Sequence, residues 1–344
     1  MTARVAIFEG AGRPFRFAEQ PLPEAGLLAP GEALVKIALA TICGSDLHTV
    51  QGRRRGPTPC VLGHEAAGSV VAAGAGREAW VGRRVTWTLA DSCGTCRPCL
   101  EWDLPQKCTR LFKYGHAALT DGSGLNGTYA SHILLRPGTH LVALPDAIPD
   151  PVAAPANCAL ATMVAASESL PKPCRMAVIQ GAGLLGLYGC ALLRAAGVSR
   201  VLVIDPEPAR RAHIAAFGGE AVANAADLPS HEADLVIEAA GVASVVQDGL
   251  RLLRVGGHYV LVGLVHPDSQ LDITGEALVR GWVTLRGVHN YAPRHLEKAI
   301  TFLGENTSLP WASLVSPVQP LERLDAALAL AESRQWARVA VGME

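Results

Sequence analysis

The strand-like run Met176–Gln180, the turn Gly181-Ala182-Gly183-Leu184-Leu185-Gly186 and the apolar helical stretch 187–196 constrain this chain more than any other segment. Here G-x-G-x-x-G follows a strand and opens a helix, the context in which the motif carries meaning. Gly181 permits the tight turn, Gly183 lets the main chain approach a pyrophosphate, and Gly186 lets the helix lie close on the strand. The N–H groups around Leu184 and Leu185, at the positive end of the helix dipole, then face the phosphates. The second strand, 201–204, leads into Asp205, whose carboxylate can accept hydrogen bonds from an adenosine ribose. The same charge opposes the 2′-phosphate of NADP, and Pro206 rather than an arginine follows it, so NAD is the expected cofactor. Arg210 and Arg211, a turn further on, are basic enough to meet a phosphate; solvated positions on a helix face account for them more simply.

From about Pro151 onward, strand-like runs at 176–180, 201–205, 234–239, 259–263 and 283–288 alternate with helical stretches. That alternation predicts a doubly wound parallel sheet with helices on both faces. The preceding part is rich in Gly, Pro and short β-branched runs such as 33–37 and 68–72, the pattern of a β domain with long loops. At 344 residues the chain exceeds one core of usual size. We therefore expect an α/β protein with a β-rich domain over 1–150, a nucleotide-binding domain over 151–289, and a tail, 290–344, that returns to the first domain. The tail offers a helical run at 321–333 and a strand-like run at 338–341.

Cys93, Cys96, Cys99 and Cys108, within CGTCRPCLEWDLPQKC, have the spacing for one zinc ion held by four thiolates. A disulfide framework belongs to small secreted domains rather than to a chain of this length. Four thiolates leave no position for substrate, so this site should brace a lobe. The chemistry is expected at Cys43 and at Gly63-His64-Glu65, where a thiolate and an imidazole offer zinc an incomplete shell with room for a further ligand. Singly, Cys43 reads as a small buried hydrophobe and His64 as a core histidine. Their combination with the other motifs reads as a metal site.

A net charge of -1 carries no long-range field, and the densest positive run is Arg53-Arg54-Arg55. Nucleic acid is not an expected partner, and no apolar stretch is long enough to span a bilayer. The opening residues lead into a short strand-like run, 5–8, without the apolar core of a secretory signal, so a reducing, cytoplasmic setting is expected.

With C-G-S-D-x-H at 43–48, G-H-E at 63–65, the four-cysteine lobe and G-A-G-L-L-G at 181–186, the chain resembles the zinc-dependent medium-chain dehydrogenase/reductase superfamily over nearly its whole length. The superfamily includes alcohol, sorbitol and threonine dehydrogenases. The resemblance implies a GroES-like catalytic domain, a Rossmann domain, a homodimer or homotetramer, and two zinc ions, one catalytic and one structural. It implies interconversion of an alcohol with its ketone or aldehyde through a zinc-bound alkoxide that gives hydride to NAD. On matching positions, Cys43 and His64 bind the catalytic zinc, Ser45 holds the reacting hydroxyl, and His48 passes its proton to solvent through the cofactor ribose. Glu65 and Asp46 orient the metal and its ligands, and Glu65 can approach the zinc directly during exchange.

For the third ligand, the stretch 155–162 resembles C-A-G-V-T of tetrameric alcohol dehydrogenases, which makes it Cys158. Alignment to the E-P-L motif of polyol dehydrogenases instead puts Ala154 there, and alanine cannot bind metal. Cys158 is preferred, because two protein ligands hold zinc poorly. The interval from Cys99 to Cys108 is one residue longer than usual in the family, so the loop around Trp102 should bulge. Leu89 matches a position that lines the substrate pocket, with Trp87, Tyr114 and His116 nearby. Arg53, Arg54 and Arg55 either present a guanidinium to an anionic or hydroxyl-rich substrate or form a solvated loop. The runs at 155–158 and 287–291 look similar to a branch acting on cyclic alcohols, and the expected substrate is a secondary, cyclic or polyhydroxylated alcohol. Two other readings are a zinc-free quinone or enoyl reductase, which would lack the metal constellation, and a non-catalytic NAD-binding protein, which would drop Ser45 or His48.

Overall fold

Strand Ala33–Ile42, buried at eight of its ten positions, is the spine of the N-terminal part. Glu65–Ala73 pairs antiparallel along one edge. The other edge is shared, with His132–Leu135 opposite 33–36 and Val339–Gly342 opposite 39–42, both antiparallel. These belong to a seven-stranded sheet that also holds Leu141–Ala143, Arg84–Trp87 and Gln319–Pro320. A three-stranded sheet of Arg16–Pro21, Thr2–Phe8 and Cys60–Val61 lies beside it. The computed structural model describes residues 1–266 and 269–343. It divides into one unit of Met1–Cys158 with Ala292–Glu344 and a second of Ala159–Tyr291.

The last fifty residues join the first unit through their apolar positions. Leu324, Ala327 and Leu328, on one face of helix Leu324–Glu332, enter the same buried cluster as Val35, Ile37, Trp87 and Val341. Helix Pro293–Glu305, absent from the sequence expectation, begins at a proline in its first turn and buries Leu296, Ala299, Ile300 and Leu303. Strand register positions the chemistry. Thr41 stands opposite Glu65, and Val339 opposite Ile42, so Arg338 is brought beside Cys43 where the spine ends. A one-residue slip would turn those side chains to the other face.

The second unit is a six-stranded parallel sheet in the order Glu220–Val222, Arg200–Ile204, Met176–Gln180, Ala233–Glu238, Leu253–Leu261, Thr284–Gly287. The order reverses between Met176–Gln180 and Ala233–Glu238, the switch point beside which such sheets bind ligands. Ala233–Glu238 is buried at every position, as a strand covered on both faces must be. Five of the six strands correspond to predicted runs. The sixth, Glu220–Val222, has three residues and is mostly exposed, so it carries no apolar signal. The helix after the glycine loop starts at Leu184 rather than 187, because Gly183 is already its N-cap.

Candidate active site

Cys43 directly follows the spine strand and caps helix Gly44–Val50. The buried Asp46 carboxylate accepts the Cys43 N–H at 2.9 Å through Oδ2, which fixes the thiol at the helix start. The same oxygen accepts the Tyr129 hydroxyl at 3.0 Å. Asp46 Oδ1 lies 3.5 Å from His64 Nδ1, and neither atom has another hydrogen-bond partner. Burial works against a charged imidazole, yet Asp46 and Cys43 together push His64 up to about 10. An imidazole whose Nδ1 faces a carboxylate and whose other side meets a thiol is oriented as a metal ligand through Nε2.

The Thr41 hydroxyl donates to Glu65 Oε2 at 2.7 Å, a consequence of their opposed register. Glu65 is fully buried, and Arg338 clamps both its oxygens, Nε to Oε2 at 2.8 Å and Nη2 to Oε1 at 3.0 Å. Arg338 Nη2 also lies 3.7 Å from Cys43 Sγ. Burial raises the Glu65 carboxyl to about 7, with Arg338 holding it lower than burial alone would. Cys158 follows the short turn Ala154–Asn157. Asn157 Nδ2 donates to the carbonyls of His64 and Trp87, both at 3.0 Å, stapling that turn to the strands around the site.

Cys43, His64, Glu65 and Cys158 therefore converge, with ligand atoms all within 4.8 Å of one another. Hydrogen bonding from Cys158 holds the Cys43 thiol well below its usual range against the effect of burial, and Cys158 is raised in exchange. Two sulfurs, an oriented imidazole and a clamped carboxylate fit zinc by their chemistry. Ala154, the alternative third position, is buried and has no donor to offer. Ser45 and His48 lie one turn apart on one face of Gly44–Val50, both half-buried.

The ligand atoms of Cys93, Cys96, Cys99 and Cys108 form a second group with the same mutual limit of 4.8 Å. Cys96 Sγ is 3.4 Å from Cys99 Sγ and 3.7 Å from Cys108 Sγ, near the ~3.8 Å edge of a tetrahedron with zinc–sulfur bonds of about 2.3 Å. The N–H groups of Cys93 and Arg110 point at Cys108 Sγ at 3.3 Å, donors that suit a thiolate. All nine cysteines are free. Within the loop expected to bulge, Trp102 is 53% exposed and stacks under Arg97, and Asp103 takes a left-handed φ of 52°.

In the second unit, Gly181 has φ +103°, and a Cβ there would come within 2.9 Å of Ala240 Cα. A Cβ on Gly186 would meet the Gly181 carbonyl at 1.9 Å, whereas one on Gly183 would meet nothing within 4 Å. Open space before Gly183, at the start of a 12-residue helix, suits a diphosphate. Asp205 Oδ2 accepts the Ala182 N–H at 2.8 Å and Oδ1 the Glu207 N–H at 2.9 Å. Arg210 and Arg211, expected as solvated helix-face residues, are half-exposed and also engage Asp205. Arg210 lies 3.6 Å from the Asp205 carboxylate, and Arg211 donates to its carbonyl at 2.7 Å.

Trp87 and Tyr114, placed near the substrate by the sequence reading, are fully buried core residues, with the Tyr114 hydroxyl tied to Thr139 and the Arg136 N–H. Arg338, Asn157 and Tyr129 received no role from the sequence. The one cue for Arg338 was a basic residue at the head of an apolar strand, next to a site whose counter-charge was missing.

Residues 29–146 match the Alcohol dehydrogenase GroES-like domain and 185–305 the Zinc-binding dehydrogenase domain. The chain is 30% identical to a glucose 1-dehydrogenase of Thermoproteus tenax over 339 residues, 93% of each chain. It is 28% identical to a 5-exo-hydroxycamphor dehydrogenase of Pseudomonas putida over 331 residues, 89% of this chain and 90% of that one. The crystal structure of an alcohol dehydrogenase from Thermotoga maritima matches it with a TM-score of 0.91 at 28% identity, covering 100% of both chains. With both halves of the fold matched and a relative alike along nearly its entire length, the chain is an oxidoreductase of the zinc-dependent medium-chain alcohol dehydrogenase superfamily.

Proposed function

We propose that this chain interconverts a secondary, cyclic or polyhydroxylated alcohol and its carbonyl product with NAD, using a catalytic zinc held by Cys43, His64 and Cys158 beside Glu65. A structural zinc belongs to Cys93, Cys96, Cys99 and Cys108. The observation that carries the reading is the convergence of Cys43, His64, Glu65 and Cys158 at the start of the helix bearing Ser45 and His48. When bound, zinc supplies Lewis acidity toward an alcohol oxygen and NAD a hydride acceptor. The chain's own residues do the rest. Asp46 orients His64, Arg338 neutralises the buried Glu65, Ser45 positions the reacting hydroxyl, and His48 delivers its proton to solvent. Gly181, Gly183, Leu184, Leu185 and Gly186 form the phosphate turn, and Asp205 favours NAD over NADP.

Relatives whose names refer to hydroxycamphor and to glucose support a cyclic or polyhydroxylated substrate. Exposed Val279 and Trp282, close in sequence to the edge strand Thr284–Gly287, support self-association into a dimer or tetramer. No helix among the described residues is long and apolar enough to cross a membrane. The test combines metal analysis with a panel of linear, branched, cyclic and polyhydroxylated alcohols followed by NADH absorbance. Two zinc ions per chain, NAD-linked turnover, and turnover abolished in Cys43→Ser with the fold intact are expected. One zinc or fewer in active protein would overturn the assignment of two sites.

A further inference from the structure

We infer that Arg54 and Lys113 bind an anionic group on the substrate, so that the alcohol oxidised carries a carboxylate or a phosphate. The inference rests on the dehydrogenase reading above and names the substrate class for that site. The three consecutive arginines are not equivalent. Arg53 and Arg55 are exposed, whereas Arg54 is half-buried, and its N–H donates to the His48 carbonyl at 3.0 Å, fastening it to the helix that carries Ser45 and His48. Its guanidinium Nη1 lies 3.4 Å from His116 Nε2, and the His116 ring lies 5.6 Å from that of His64, tilted by 33°. One imidazole thus separates the guanidinium from the metal-ligand cluster. With its proton on Nδ1, the His116 ring offers Nε2 as an acceptor that aims the Arg54 guanidinium.

Lys113 reaches the same place from another strand. Phe112–Lys113 pairs with Ala90–Asp91, with Lys113 opposite Ala90, and the Tyr114 N–H donates to the Leu89 carbonyl at 3.2 Å, so Lys113 runs beside Leu89. The His116 N–H donates to the half-buried Lys113's carbonyl at 3.2 Å, so one tight turn joins Lys113 to the imidazole that meets Arg54. Neither Arg54 nor Lys113 forms an ion pair among the described residues. Two cations gathered in a partly desolvated place without a counter-ion repel each other. An anion held between them removes that cost, and a guanidinium is suited to carboxylate and phosphate geometry.

The experiment compares matched pairs on the zinc-loaded full chain with NAD: 3-hydroxybutyrate against its methyl ester, and 1,2-propanediol 1-phosphate against 1,2-propanediol. The charged member of one pair should have a kcat/KM roughly 10- to 100-fold higher, the size of a hydrogen-bonded charge, and which pair shows it separates carboxylate from phosphate. Arg54→Leu and Lys113→Met should collapse the ratio mainly through KM, Arg54→Lys should restore part of it, and Arg55→Leu should leave it alone. Charged and neutral members within threefold of each other, or a ratio that survives both Arg54→Leu and Lys113→Met, would overturn the inference. Calorimetric titration of the two charged compounds gives a readout that does not need turnover. Binding lost in Arg54→Leu, with no NADH formed from any compound, would uphold the anion site and sink the dehydrogenase reading. No binding and no preference would sink the anion site alone if the neutral alcohols are oxidised.

Discussion

Replacing Asp46 by Asn keeps the side chain's shape while turning one acceptor into a donor. Asp46 Oδ2 accepts from the Cys43 N–H at 2.9 Å and the Tyr129 hydroxyl at 3.0 Å, so the amide oxygen will settle there, the two groups facing it being donors. The amide nitrogen then occupies the place of Oδ1, 3.5 Å from His64 Nδ1. A protonated Nδ1 would face a second donor. The imidazole escapes by moving its proton to Nε2, the nitrogen a metal would need. The variant must therefore leave a buried donor unpaired or give up a ligand. An unsatisfied buried donor costs about 1–3 kcal/mol, roughly 5- to 150-fold in zinc affinity. Protons compete with the metal for His64, but a divalent ion gains more than a proton from the Asp46 charge, so losing that charge does not favour the metal. The fold should survive, since the Cys43 cap is kept. Competition with a chromophoric chelator measures the effect, with the four-cysteine site as internal reference: one ion should leave at lower chelator concentration while the other is unmoved. Wild-type retention of both ions, together with wild-type turnover, would refute the role given to Asp46. Asp46→Ala is less informative, because it strands the Cys43 N–H, the Tyr129 hydroxyl and His64 Nδ1 together and should destabilise the whole unit.

Three further outcomes are expected. His48→Gln should slow alcohol oxidation most at low pH, by up to about 10²-fold or more, with partial rescue by added buffer bases; an unchanged pH–rate profile would mean the proton leaves by another route. Wild type should prefer NAD in kcat/KM, and Asp205→Asn should raise the NADP-to-NAD ratio about tenfold, because Arg210, now 3.6 Å from the carboxylate, is released toward a 2′-phosphate; an unmoved ratio argues against this. Cys96→Ser, which removes the sulfur 3.4 Å from Cys99 Sγ and 3.7 Å from Cys108 Sγ, should lose one zinc and lower the melting temperature while NADH formation per folded molecule persists; lost turnover with both ions retained would contradict a bracing role.

What was legible in the sequence was local. The glycine turn, the four cysteines and the run from Cys43 to His48 each place their residues within a few positions of one another, so spacing alone carries the geometry. The central strands of the parallel sheet were legible for a related reason: buried on both faces, they carry continuous apolar stretches such as 177–179, 201–204 and 235–237. Glu220–Val222 and Thr284–Gly287 mark the limit. Both are sheet edges with little burial; the first left no trace in the pattern, and the second was found only because Val283 to Val288 happens to be rich in β-branched and apolar residues.

The carboxylate clamp lies beyond any local reading. Glu65 and Arg338 are separated by 273 residues, and what joins them is that both flanking strands take their register from Ala33–Ile42. A fully buried carboxylate beside two sulfurs needs a counter-charge, since an unpaired one costs several kcal/mol, so a cation from somewhere in the chain was a physical requirement before it had a number. Only the pairing of Val339 with Ile42 decides that it is Arg338, 12% exposed, rather than one of the arginines near Cys43 in sequence. That assignment leaves Arg54 without a carboxylate of its own. The half-buried guanidinium that follows the helix of Ser45 and His48 is thereby free to meet a charge that the protein does not supply.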